Sequence, residues 1–158
     1  MKVPAEDQYK ILDTFEKERE AIIQMIKRIF AFPYLEETQL VMLEAVTDKY
    51  GIGFEAYPYT DPLDRAPMFE EDRGKNIIRV EGVAGGSVYI GDFDMDALLD
   101  EGLLDAYLFV GEKLLVKWLS KLIKEVEGYD AFPYPICMYF EGDDPYYYNL
   151  STGTRERA

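Results

Sequence analysis

Near the middle of the chain, Asp92-Phe93-Asp94-Met95-Asp96 places carboxylates at alternate positions, as the opening of a calcium-binding loop does. The rest of that pattern is missing. Ala97 stands where the sharp turn needs glycine, and Leu103 stands where a bidentate glutamate would close the cage. The three aspartates are therefore expected to serve a following helix, whose first N–H groups need acceptors. Histidine is absent from all 158 residues, which removes Ser-His-Asp and Cys-His catalysis and imidazole-held metal. The single cysteine, Cys137, lies in the apolar run Ile136-Cys137-Met138-Tyr139-Phe140, the setting of a buried and inert thiol. Gly82-Val83-Ala84-Gly85-Gly86 has neither the spacing nor the Lys-Ser/Thr of a phosphate loop, and it reads as a turn. No metal, cofactor or catalytic residue is assigned. With 31 acidic side chains, carboxylate pairs for hydrolysis remain a spatial question, and a small enzyme built on Asp, Glu and Tyr is the rival reading.

Against those 31 acids stand 17 Lys and Arg, for a formal charge of −14 and a pI near 4.4. A field of that sign repels nucleic-acid phosphates and anionic lipid, and attracts basic protein surfaces. The acidity is uneven: residues 51–105 hold 13 acidic and four basic side chains. Lys113, Lys117, Lys121 and Lys124 meanwhile recur at helical spacing. An acidic sheet-and-loop side opposite one basic helical stripe is expected.

The elements that must carry these charges follow from periodicity. Apolar residues from Leu12 to Ile29 predict one long helix over 5–30, started by Pro4 and stopped before Pro33. Glu36 and Glu37 at one end, and Lys49 and Gly51 at the other, predict a second helix over 36–50. Alternation at Ile52, Phe54 and Ala56 predicts a strand that Pro58 ends, and residues 60–75 carry two further prolines and read as a long loop. Ile78 and Val80 before the glycines, with Val88 and Ile90 after them, predict a hairpin. A short helix after Asp94 and a longer one over 104–127 follow, the latter with Leu115, Trp118, Leu119 and Leu122 inward and Gly128 as its stop. Strands at 136–140 and 146–148, joined by a turn at Gly142-Asp143-Asp144-Pro145, complete the chain. The expected fold is α+β, in the order ααβββααββ, with an antiparallel or mixed sheet of about five strands and helices mainly on one face. Residues 1–150 form one domain, and 151–158 a frayed tail.

Sixteen loop residues offer Met68 and Phe69 as apolar anchors beside Glu70, Glu71 and Asp72. With Asp92, Asp94, Asp143 and Asp144, and the tyrosines Tyr57, Tyr59, Tyr146 and Tyr148, they make the predicted partner-binding set, since Tyr buries large area at small entropic cost. The expected function is a non-catalytic acidic protein that neutralises a basic target, as an immunity protein or antitoxin covers a toxin or nuclease cleft. A homodimer formed through the first helix is the third possibility. No apolar run is long enough for a membrane span, the first residues MKVPAEDQYK lack the apolar core of a signal peptide, and one cysteine suits a reducing compartment, so the cytoplasm is the expected location.

Overall fold

A computed structural model describes residues 2–75 and 79–158. Among the described residues, four α-helices lie on one side of a mixed, seven-stranded sheet. The first predicted helix is present as α1 (Ala5–Lys17) and α2 (Arg19–Ala31), separated at Glu18, where the backbone leaves helical angles. Ile11 and Phe15 from α1, and Ile22, Met25, Ile26 and Ile29 from α2, are buried in the main core. The stripe that a partner helix would have used is thus consumed within the chain.

The strands are β1 (Leu40–Asp48), β2 (Gly51–Asp61), β3 (Asp64–Arg65), β4 (Ala84–Val88), β5 (Ile136–Phe140), β6 (Tyr146–Asn149) and β7 (Thr154–Arg157). Their order is β3-β2-β1-β5-β6-β7, and β4 also pairs with β2, further along the side that β3 occupies. Among the described residues, β1 and β5 run parallel and the other pairs are antiparallel. The helices α3 (Met95–Asp100) and α4 (Leu104–Glu125) form the crossover between β4 and β5. Asp94 caps α3 by accepting the Ala97 N–H, the role expected of that aspartate run. Gly128, at φ +101, follows α4 in a conformation that a side chain would strain.

Four expectations are corrected, the first being that Pro58 ends a strand: β2 continues through Pro58, which pairs with Val41, to Asp61. Residues 36–50 are not a helix. Val41, Leu43 and Ala45 face the helices while Leu40 and Met42 are buried on the other side, so the run is apolar because it is a central strand covered on both faces. The supposed helix stop at Gly51 is a hairpin turn, in which the Asp48 carboxylate accepts N–H bonds from Tyr50 and Gly51. Gly85 and Gly86 lie inside β4 instead of at a turn. A Cβ on Gly86 would come within 2.8 Å of Ile22 Cδ1, so glycine there serves the close approach of α2. Ile78, the other arm of the predicted hairpin, lies outside the described residues. Finally, Thr154–Arg157 pairs with β6, so the segment expected to fray adds a strand, and the sheet has seven strands instead of five.

Because side chains alternate along a strand, the sheet has a helical face and a helix-free face. Val41, Phe54, Val88, Met138 and Phe140 belong to the first, packed with α1, α2 and α4. Met42, Tyr57, Tyr59 and Cys137 belong to the second, where Met68 covers them. The alternation of charge follows the same division. Lys113, Lys117, Lys121 and Lys124 are all exposed on α4, on the helical side. No helix of the described residues is long and apolar enough to cross a membrane.

Candidate functional site

The helix-free face has a covered half and an open half. Loop residues 66–75 fold back over the start of β1 and the end of β2, leaving a cleft of about 520 Å³ lined by Tyr57, Arg65, Met68, Asp72, Arg73 and Arg79 among others. Three arginines clamp this loop. Arg65 grips the Glu44 carboxylate with Nε and Nη2 at 2.8 and 2.7 Å, and its guanidinium stacks 3.7 Å from the centre of the Tyr57 ring. Arg73 holds Glu37 through Nε and Nη2, both at 2.7 Å, and also reaches Glu70. Arg79 donates to both oxygens of Asp72 and lies over the Phe69 ring. The hydrogen bond from Arg79 holds the Asp72 carboxyl below its ordinary range. Each guanidinium is already matched to a carboxylate, so the cleft is a fastening of the loop to the sheet more than an open anion site.

This arrangement redistributes the predicted binding set. Met68 is 7% exposed and packs in the second core, and Tyr57 and Tyr59 are buried there as well. Tyr59 donates to Glu44, and Tyr57 donates to the Val80 carbonyl. Asp72 is buried against Arg79, and Glu70 is paired with Arg73. Phe69 and Glu71 remain exposed at this end. Asp92, Asp94, Asp143 and Asp144 sit at the opposite end of the sheet, beside the β1–β2 turn, whose Lys49 pairs with Asp96, and the β5–β6 turn. Tyr148 packs on the helical side of β6, where it meets Phe140 edge to face; Tyr147 points to the opposite face, and Tyr146 lies against the Arg155 guanidinium. The thirteen positions therefore do not share one surface.

A different group does. In the open half of the helix-free face, cross-strand register sets Glu44 opposite Glu55 and Val46 opposite Gly53 on β2, and Gly53 opposite Ser87 on β4. Val46 is 53% exposed although its strand is central, and Tyr89, just past β4, is 63% exposed. Gly53 and Ser87 between them add almost no side chain, so the surface is a shallow shelf with apolar points on a flat floor. Carboxylates surround it: Glu44 and Glu55 towards the clamped loop, Asp48 at the β1–β2 turn, and Glu141 where its N–H bonds the Ala45 carbonyl. Two glutamates directly opposite one another repel. Here Arg65 and the Tyr59 hydroxyl neutralise Glu44, while Glu55 turns away to accept the Gly82 N–H at 3.0 Å. Sequence reading missed this shelf because Val46 lay in a segment assigned to a helix. The available signal was the alternation of Glu44, Val46 and Asp48 with Leu43, Ala45 and Thr47, which fits a strand with one polar face.

Glu112 of α4 belongs to the same acidic end. It accepts a 2.6 Å bond from Thr47 Oγ1, and burial, with Asp143 nearby, pushes its carboxyl above the ordinary range against the effect of that bond. A raised acid favours the folded state below the unfolded pKa, and that contribution is lost as pH rises through the folded value. Glu112→Gln keeps an acceptor for Thr47, so thermal unfolding is expected to show it slightly more stable at neutral pH, by under about 1 kcal/mol, and equal to wild type below about pH 4. Wild-type superiority at neutral pH would refute that.

Burial pushes the Cys137 thiol up to about 12, as suits an inert side chain. Among the described residues, no three His, Cys, Asp or Glu side chains gather as a metal-binding group. Compared with protein-family models, curated proteins and solved structures, the chain matches none.

Proposed function

We infer that this protein is a non-catalytic binding partner of a basic protein, acting as an immunity protein or antitoxin acts on its toxin, and that it docks through the open half of the helix-free face. The exposure of Val46 in the middle of a ring of carboxylates carries this reading. An apolar centre with a charged rim is the anatomy of a protein interface, and the sign of the rim selects a basic partner and speeds its encounter. A nuclease or toxin cleft that expects phosphates would meet Glu55, Asp48 and Glu141 in their place. The lysine stripe of α4 lies on the other side of the sheet, so the molecule's dipole would present the shelf first to a positive surface.

The test is affinity capture from cells of the source organism with wild type and with Val46→Lys in parallel, at low and high salt. A basic protein held by wild type, released by salt and not retained by Val46→Lys supports the reading. Equal retention by both, or capture of acidic proteins only, overturns it.

A further inference from the structure

The two edges of the sheet are finished differently. β7 ends one side with Thr154-Arg155-Glu156-Arg157, a charged edge of the kind that discourages further pairing. β4 carries Ala84-Gly85-Gly86-Ser87-Val88, with no charge, and among the described residues it pairs with β2 alone. Among the described residues none bonds its outer backbone groups, the side on which an added strand would pair. Across the sheet, Glu44, Glu55 and Gly85 stand in one cross-strand row on the helix-free face. A Cβ at position 85 would lie 2.3 Å from Glu55 Oε1, so the Glu55 carboxylate occupies the space a side chain at 85 would take and reaches towards the open edge. Its Oε2 is engaged by the Gly82 N–H, and Oε1 has no hydrogen-bond partner among the described residues. Glu81 precedes the strand, and Asp92 and Asp94 follow it, all exposed.

We propose that the β4 edge receives an extended basic segment of the partner as an additional strand, with a Lys or Arg of that segment placed opposite Gly85 to meet the Glu55 carboxylate. This deepens the docking reading above and rests on it. Main-chain bonds to β4 supply affinity, and Glu55, reaching across the glycine, supplies the charge selection. A second copy of this chain is a poor occupant, because its own β4 would bring Glu81, Asp92 and Asp94 against the same acids.

The probe is a capped peptide of about eight residues, alternating Lys and Thr, long enough for one strand. It is titrated against the full chain at low salt beside the same peptide N-methylated at alternate backbone positions, which keeps the charge and removes strand hydrogen bonds. The parent peptide should slow amide exchange within 84–88, and N-methylation should weaken binding at least about tenfold. Glu55→Gln, which retains an acceptor for the Gly82 N–H, should weaken the parent peptide about tenfold without moving the melting temperature. Equal binding of the two peptides, protection away from β4, or no binding of either overturns strand addition. The docking face is judged separately by Val46→Lys, which leaves the β4 edge intact.

Discussion

Phe15→Ala is expected to destabilise the protein by about 3–5 kcal/mol, which lowers the melting temperature of a chain this size by roughly 6–20 °C. Phe15 is fully buried at the centre of the α1–α4 contact, and its ring stands 5.8 Å from that of Trp118. Truncation leaves a cavity lined by α4 and the sheet, and helices anchored at both ends cannot close it. The sequence also places Trp118 on the inner stripe of α4. It is only half-buried, at the margin of that core, with Nε1 donating to Glu16 at 2.7 Å. Trp118→Ala should therefore cost less, about 1–3 kcal/mol. Chemical denaturation of both variants checks the order. A Trp118→Ala loss equal to or above that of Phe15→Ala would mean the α1–α4 packing is wrongly described.

Val46→Lys should leave stability within about 0.5 kcal/mol of wild type, because the side chain already meets solvent and a lysine stem can lie along the strand surface. Its effect on partner binding should be large. The new ammonium would sit at the centre of the contact, facing a basic surface and losing water without a matching acid from the partner. Combined desolvation and like-charge repulsion justify a loss of about 100-fold or more, or roughly 2.7 kcal/mol. The change should fall mainly on dissociation. Neutralising rim acids such as Glu141→Gln should instead slow association and flatten its salt dependence.

Much of the fold could be read from the chain. α4 and its inner residues, the β5–β6 turn at Gly142-Asp143-Asp144-Pro145, and the Asp94 cap follow from local signals that no tertiary contact opposes. β1 was illegible for a physical reason. A strand buried on both faces shows neither period, and acids before it with a lysine after it imitate helix-end charges. Gly85 and Gly86 misled similarly, since close approach of α2 and of Glu55 demands the same residue that a turn would. The binding set was legible in sign and not in place. Loop acids near Met68 looked available because sequence spacing alone does not show that Arg73 and Arg79, which follow them in the chain, point back at Glu70 and Asp72. The shelf needed cross-strand register, which only the assembled sheet supplies.

Docking of a basic partner on the open half of the helix-free face would leave an amide-exchange footprint in the captured complex. Exchange should slow within 44–48, 51–55 and 84–89, with α4 and its exposed lysines unchanged. Protection confined to α4, or to the clamped loop at 66–75 with those three segments unaffected, would contradict docking there.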